Sequence, residues 1–209
     1  MSFFVYTYGW IFRFLFPKIL WKVKTTQKEI YLTFDDGPTP TVTNFVLEEL
    51  NKWNAQATFF CVGHNIEKHP DIYRQLQAQG HSIANHTYYH RKGTKTPNQE
   101  YYRDIEDCQK YMIADNKMML FRPPYGKIKY SQIKQLSKKY RIVMWHIIAG
   151  DFLPKMTVKK CLRILIRNTQ KGSIIVLHDN QKTFSILKEV LPQYLAYFSK
   201  KGYQFKKLS

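Results

Sequence analysis

The sequence predicts an α/β fold built on a mostly parallel sheet. Apolar runs rich in β-branched and aromatic residues alternate with segments of helical period. Three helical segments are each followed, just before a strand, by a glycine suited to a helix C-cap: Gly80, Gly172 and Gly202. Alternation over about seven units predicts parallel strands joined by right-handed crossovers. Seven strands in one domain favour a closed or nearly closed (β/α) barrel, with a doubly wound open sheet as the alternative.

The individual elements follow from these patterns in chain order. The predicted strands, the last of them weaker, are Glu29–Phe34, Ala57–Cys61, His81–Asn85, Met119–Arg122, Ile142–Trp145, Ser173–Leu177 and Tyr203–Lys207. The predicted helices are Thr43–Trp53, Pro70–Gln79, Asn98–Ile113, Gln132–Lys139, Val158–Asn168 and Phe184–Phe198. His64 and His69 are expected in a loop between these elements.

Composition and charge limit the class of protein. At 209 residues and 44% hydrophobic content the chain forms one folded domain, not a disordered segment. The formal charge of +18 is uneven, since residues 1–104 carry net +3 and residues 105–209 net +15. This charge predicts either a solvated basic surface or attraction to an anionic membrane surface or acidic glycan. Nucleic acid is not expected as a partner, because no recognised binding motif accompanies the charge.

The three cysteines argue against two kinds of site. They are odd in number and widely spaced, at Cys61, Cys108 and Cys161. This spacing predicts neither a disulfide framework nor a thiolate zinc site.

The N-terminal residues 1–27 form a separate aromatic and basic segment, and we expect the catalytic domain to cover residues 28–209. Arg13 interrupts the apolar stretch and Pro17 ends it, so it is too short to span a bilayer. No cleavable signal peptide is recognised, which predicts a cytoplasmic protein or one peripheral at the membrane. Interfacial attachment and packing on the barrel both remain open. Attachment would use Trp10, Phe12, Phe14, Phe16, Lys18, Lys22 and Lys24.

A histidine pair and two acids predict a metal site. His86 and His90 are four residues apart, so on a helical turn they would share one face. Two histidines and one carboxylate are a common ligand set for a catalytic divalent ion. Asp35 and Asp36 end another strand, and adjacent side chains of an extended backbone point in opposite directions. One acid can therefore ligate the metal while the other faces the attacking water. A surface histidine pair is the alternative.

Five ordered motifs resemble those of the polysaccharide deacetylase family, which is the NodB-homology domain or carbohydrate esterase family four. The motifs are Thr33–Pro38 (TFDDGP), His86 with His90, Arg122–Gly126 (RPPYG), Trp145 with Asp151, and Leu177–His178. The similarity covers about residues 28–208. It implies a distorted (β/α)7 barrel of mostly parallel strands, in agreement with the seven predicted strands.

The resemblance also implies a ligand set and an acid–base pair. Asp36, His86 and His90 resemble the metal triad, which holds zinc in most members and cobalt or nickel in some. Asp35 resembles the general base that acts on water. His178 resembles the general acid that protonates the leaving amine.

Further residues match supporting positions of the family. Arg122 resembles the arginine that holds the base, and Asp151 the carboxylate that orients this arginine. Tyr125 lies where the family uses a backbone N–H for the oxyanion, and Leu177 where it lines the acetyl pocket. Pro123 is a further predicted substrate-binding residue.

The implied activity is metal-dependent removal of acetyl groups from an N-acetylated amino sugar in a glycan, which is hydrolysis of a linear amide. An O-acetyl esterase acting on an acetylated polysaccharide is the nearest alternative. A non-catalytic carbohydrate-binding member attached to a membrane surface is a further one. The chain departs from the fourth motif, since Ile148 replaces an acid and Phe152 a tryptophan. The shape of the substrate groove is therefore left open.

Overall fold

The computed structural model describes residue 14, residues 16–112 and residues 119–209. Within these residues nine strands are formed: β1 Ile19–Leu20, β2 Glu29–Asp35, β3 Ala57–Cys61, β4 Ser82–Asn85, β5 Met119–Phe121, β6 Tyr140–Val143, β7 Ile147–Ile148, β8 Ser173–His178 and β9 Gln204–Phe205. The α-helices are α1 Val42–Lys52, α2 Gly63–Lys68, α3 Pro70–Ala78, α4 Asn98–Lys110, α5 Tyr130–Leu136, α6 Val158–Asn168 and α7 Phe184–Lys200. Short 3₁₀ turns cover Gly93–Lys95 and Pro124–Gly126.

The strands form one parallel sheet in the order β1-β6-β5-β4-β3-β2-β8-β7. The central strand β2 pairs with β3 on one side and β8 on the other. β9 pairs with the first two residues of β2. All parallel strands direct their C-terminal ends to the same edge of a sheet, so loops that follow them meet there.

The sheet curls until its two ends approach each other. β6 and β7 lie near opposite ends of the strand order, yet only Met144–His146 separates them in the chain. Three residues can span only about 10 Å. The backbone N–H of Met144 donates to Leu20 of β1, and that of His146 donates to Ile174 of β8. The sheet is therefore a curled, incompletely closed α/β barrel, as the sequence predicts.

Strand alternation divides the apolar residues into two cores. In β2, Ile30, Leu32 and Phe34 face the helices and belong to the larger, outer cluster. Thr33 and Asp35 are buried on the opposite, inner face of the same strand. The inner cluster fills the barrel with residues such as Phe60 and Val176, so the barrel supports a site at its mouth.

The structure confirms the seven predicted strand regions and the six predicted helices, with ends shifted by a few residues. Two strands, β1 and β7, were not predicted. His64 lies in the unpredicted helix α2 and not in a loop.

The described part of the N-terminal segment is built into the barrel. β1 pairs with β6, Lys22 forms a bridge to Ser173, and Trp21 is buried. The predicted boundary at residue 28 is therefore too late, because the barrel begins at Ile19. Phe14 is 79% exposed. Phe16 is half-buried and packs against the inner cluster. The other aromatic residues proposed as interfacial, Trp10 and Phe12, lie outside the described residues. Within the described residues, no helix combines the length and hydrophobicity needed to cross a membrane.

Replacement of Trp21 tests whether this segment stabilises the domain. Trp21→Ala removes a buried side chain of the inner cluster, so the free energy of unfolding should fall by about 3–5 kcal/mol. Lys18→Ala, at an exposed position, is the control and should change it by less than about 0.5 kcal/mol. Denaturant titration measures both, and an unchanged midpoint for Trp21→Ala would show that the segment is an appendage.

Candidate metal centre and active site

The predicted polar residues meet at the barrel mouth, each at or just beyond the end of a strand. Asp35 and Asp36 end β2, His86 follows β4, Arg122 follows β5, Asp151 follows β7 and His178 ends β8. In the register of β2 and β8, Asp35 lies directly beside His178. Paired residues of parallel strands point to the same face, so both side chains face the barrel interior.

The loop after β2 holds Asp36 in a left-handed conformation with φ 86°. Asn65 Nδ2 donates to the Asp36 carbonyl at 2.7 Å, and Asn180 Nδ2 donates to Asp36 Oδ2 at 2.6 Å. The next amide, Gly37 N–H, donates to the buried carboxylate of Asp179 at 3.0 Å. These contacts fix both the backbone and the carboxylate of Asp36. They use the carbonyl oxygen and Oδ2, so Oδ1 is the carboxylate oxygen that they do not engage.

His86 and His90 come together in an irregular loop and not on the helical turn that their spacing suggests. The loop bends through left-handed residues, with φ 63° at Thr87 and φ 57° at His90. Asp104 of α4 anchors it, since its Oδ1 accepts from Tyr89 N–H at 3.0 Å. The two imidazole centroids lie 5.0 Å apart. Such strained positions are typical of functional sites, where surrounding contacts hold them.

The geometry of the triad suits a cation. One ligand atom from each of Asp36, His86 and His90 lies within 4.8 Å of the others. His86 Nδ1 lies 2.7 Å from the Arg122 carbonyl, which can only accept, so Nδ1 carries the proton and Nε2 a lone pair. That lone pair lies 3.7 Å from Asp36 Oδ1, a buried oxygen with no hydrogen-bond partner among the described residues. Two facing acceptors in a buried site are stabilised by a positive ion between them.

The pKa values agree with this ligand set. Burial first, and the His90 charge, lower the pKa of His86 to about 4, so its imidazole is neutral and able to bind a metal. Burial acts to raise the pKa of Asp36. The imidazoles of His90, His178 and His86 outweigh that effect and hold it below its usual range. The triad therefore presents the neutral imidazole of His86 and the carboxylate of Asp36, with the imidazole of His90 beside them.

Arg122 holds Asp35, as the family resemblance implies. Its Nη1 donates to Asp35 Oδ1 at 2.5 Å and to Thr33 Oγ1 at 2.8 Å. Nε and Nη2 donate to the carbonyls of Val143 and Met144 at 3.3 and 2.9 Å. The guanidinium is fully buried and lies 3.9 Å from the Phe60 ring centroid. The buried guanidinium therefore fixes the position of the Asp35 carboxylate and places a positive charge against it.

Asp151 does not orient Arg122, which corrects the sequence-based expectation. Its Oδ1 accepts from His178 Nδ1 at 2.8 Å, and its Oδ2 accepts from His178 N–H at 2.8 Å. β7 pairs with β8, so the loop after β7 lies beside His178 and away from the arginine. Thr33 and two main-chain carbonyls hold Arg122 instead.

This contact tunes His178 as a proton donor. Burial acts to lower the pKa of His178, but the charge and hydrogen bond of Asp151, with the charges of Asp36 and Asp35, raise it to about 10. Nδ1 is bound to Asp151, so Nε2 is the nitrogen that carries the transferable proton. The imidazolium form is available through neutral pH.

The three predicted substrate contacts have different outcomes. Tyr125 is 61% exposed in a left-handed turn (φ 60°), and its hydroxyl lies 3.2 Å from His90 Nδ1. Pro123 is buried and its carbonyl accepts from Gly126 N–H, so it shapes this turn. Substrate contact by Tyr125 and Pro123 stays a prediction.

Leu177 is fully buried in the outer cluster between sheet and helices, so its assignment to the acetyl pocket is wrong. Val176 lies on the inner face of β8 with His178 and belongs to the inner cluster.

The two departures from the fourth motif shape the groove wall. Ile148 is buried in the inner cluster. Phe152 is 42% exposed, and its ring meets the His178 imidazole edge to face, with centroids 5.0 Å apart. Phe152 therefore supplies an aromatic wall beside the general acid.

Several functional contacts were missed from the sequence. Asn65 and Asn180 bind Asp36, while Thr33 binds Arg122. Asn180 was detectable, because it follows His178 by two residues in the same strand-end string. Thr33 lies in the TFDDGP string, but its contact with Arg122 is long-range and could not be read from it. Asn65 carried no local signal.

Comparisons with known proteins place the chain in a family. The family model described as "Polysaccharide deacetylase" matches residues 22–145. The chain belongs to the polysaccharide deacetylase family. It is 33% identical over 195 residues to a peptidoglycan-N-acetylglucosamine deacetylase of Bacillus cereus, covering 90% of this chain and 89% of the relative. It is 34% identical over 163 residues to a chitooligosaccharide deacetylase of Azorhizobium caulinodans, covering 76% and 77%.

Solved structures agree with this assignment. A crystal structure of a peptidoglycan N-acetylglucosamine deacetylase, in complex with 4-naphthalen-1-yl-N-oxidanyl-benzamide, superposes with a TM-score of 0.87. It shares 28% identity and covers 94% of both chains. Peptidoglycan deacetylase PdaC from Bacillus subtilis gives a TM-score of 0.79 at 28% identity, covering 89% and 90%. The chain is a carbohydrate N-deacetylase, a hydrolase of a family whose deacetylases are metalloenzymes.

Ligand replacement tests the metal triad of this deacetylase. His86→Ala and His90→Ala should each lose most bound metal, because two remaining ligands hold a divalent ion weakly. Asn180→Ala should weaken metal affinity by roughly 10–100-fold, because it frees Asp36 Oδ2. Metal content after dialysis and titration calorimetry measure these effects. His69→Ala is the control, and full metal content in both triad variants would overturn the assignment.

The pH profile tests the pairing of Asp151 with His178. Activity that needs protonated His178 should decline as pH rises through its raised pKa. Asp151→Asn removes the charge that contributes most to that rise, so the basic limb of kcat/KM should move down by roughly one pH unit or more. Asp107→Asn, on the exposed side of α4, should leave the limb in place. An unmoved limb in Asp151→Asn would contradict this role.

Proposed function

We propose that this deacetylase removes the acetyl group from N-acetylglucosamine units of a peptidoglycan-type glycan, with zinc at the triad. The observation that supports the proposal most strongly is the placement of Asp35 and His178. They are partners on neighbouring strands, both facing the barrel mouth beside the metal ligands. Base, acid and ligands thus surround one point at which an amide can be held.

The residues of the chain divide the reaction between them. Asp35, held by Arg122, accepts a proton from the attacking water as its oxygen bonds to the acetyl carbon. His178 Nε2 gives its proton to the amide nitrogen as the carbon–nitrogen bond breaks. The products are acetate and a free amine. The exposed ring of Phe152 forms apolar surface beside His178.

The triad supports zinc because two imidazoles and one carboxylate form a familiar ligand set of catalytic zinc sites. A bound divalent ion would lower the pKa of water and polarise the acetyl carbonyl. Cobalt and nickel suit the same ligands and are the alternatives.

The relatives' names support the proposed glycan. The Bacillus cereus relative is a peptidoglycan-N-acetylglucosamine deacetylase, and the Azorhizobium caulinodans one a chitooligosaccharide deacetylase. Both names indicate an N-acetyl group, which favours amide over ester hydrolysis. A non-catalytic role is disfavoured because ligands, base and acid are all present.

We also propose peripheral attachment at an anionic membrane surface. Phe14 and Lys18 are exposed at the edge of the barrel, next to the remaining aromatic residues of the N-terminal segment. Aromatic and basic side chains together favour the headgroup boundary.

A substrate screen with metal reconstitution tests the activity. Zinc-loaded protein should release acetate and free amine in equal amounts from peptidoglycan fragments and chitooligosaccharides, and less acetate from acetylated xylan. Asp35→Asn should abolish turnover while it keeps its metal, because it removes the base and no ligand. Release of acetate without amine, or near-normal activity of Asp35→Asn, would overturn the proposed reaction.

A further inference from the structure

The surface formed by residues 119–209 is almost free of negative charge. This part of the chain contains 19 Lys and Arg but only three acids. Two of these acids, Asp151 and Asp179, are buried, so Glu189 is the only exposed acid in this range. Its exposed cations therefore have few acids of the same range to pair with.

The first half of the chain holds more acids at its surface. Four of its cations lie in ion pairs with nearby acids: Lys52 with Glu49, Arg74 with Asp71, Arg91 with Glu100 and Lys110 with Asp107. Other exposed cations there, such as Lys68 and Arg103, have no such partner among the described residues. The position of a group of cations relative to the active site therefore distinguishes it more than the absence of ion pairs does.

The most regular group of such cations lies on α6 and in the loop just before it, and we call it the cationic track: Lys155 in the loop, and Lys159, Arg163 and Arg167 on the helix. The last three recur every four residues, so they lie along one side of the helix over about 12 Å. All four are exposed, and none forms an ion pair with a described residue. The opposite side of α6 is fixed to the barrel by the buried Cys161 and Leu165.

The track begins at the active site. α6 follows the loop that carries Asp151 and Phe152, and Lys155 lies three residues after Phe152. A helix that follows a strand of a parallel barrel runs back along its outside, away from the mouth. A polymer held beside Phe152 and His178 that leaves the mouth over this loop would therefore meet the track.

We infer that the cationic track binds an acidic polysaccharide, namely the same carboxylate-bearing glycan strand whose acetyl groups the active site removes. The inference rests on the proposed function and makes it narrower, because it assigns an anionic substrate. Regularly spaced cations complement a chain with regularly spaced carboxylates. The track adds affinity and orientation outside the site where the acetyl group reacts.

Two glycans that share one sugar backbone distinguish the contribution of charge to binding from that of the sugar rings. Peptide-free peptidoglycan strands carry a lactyl carboxylate on alternate sugars, and chitooligosaccharides of equal length carry none. The triple variant Lys159→Gln, Arg163→Gln and Arg167→Gln removes three charges and keeps good helix formers. The control is Lys134→Gln, Lys138→Gln and Lys200→Gln, which makes the same charge change at other exposed positions.

The track variant should bind the acidic strands about tenfold more weakly at low salt, and the salt dependence of its Kd should be shallower. Its kcat/KM on chitooligosaccharides should equal that of the wild-type protein, and the control should match the wild-type protein on both glycans. Equal loss of affinity for the acidic strands in the track and control variants would overturn the inference. It would also be overturned if the track variant lost more affinity for anionic vesicles than for the acidic strands. Inactivity of the wild-type protein on both glycans would refute the proposed function instead.

Discussion

The buried guanidinium of Arg122 is the group on which the rest of the site depends. It joins the base Asp35 to Thr33 and to two carbonyls between β6 and β7, where the ends of the sheet approach. The backbone carbonyl of the same residue fixes the tautomer of His86. One residue thus holds the carboxylate of Asp35, directs the imidazole of His86 and links the strands that bear them. A lysine would preserve only the charge, because it lacks the planar array of donors.

The site divides into two charge-paired halves. On one side the Arg122–Asp35 pair supplies a proton acceptor, and on the other the Asp151–His178 pair supplies a proton donor. The two halves face each other because β2 and β8 are neighbours in register. Asp35 and His178 each have a buried partner of opposite charge, and for His178 the charge of Asp151 raises its pKa.

Much of this arrangement is predictable from the sequence, because the polar residues that follow predicted parallel strands must lie together at one end of the barrel, which is its mouth. That His86, His90 and one of the two adjacent acids form a metal site needed only that rule and the chemistry of the residue types, whereas the choice of Asp36 over Asp35 came from the family resemblance. β1 and β7 escaped prediction because two residues are too few for a periodic pattern. The partner of Asp151 could not be read from the chain, since it depends on which strand lies beside β7. Leu177 could have been excluded, because strand alternation from His178 places it on the opposite face.

The central claim is that Asp36, His86 and His90 hold a cation within reach of Asp35 and His178. Anomalous X-ray diffraction from crystals of the metal-loaded protein tests it most directly. The account predicts one metal peak bonded to Asp36 Oδ1 and to Nε2 of both histidines, at about 2.0–2.2 Å. A peak bonded to other residues, or no peak at full metal loading, would contradict it.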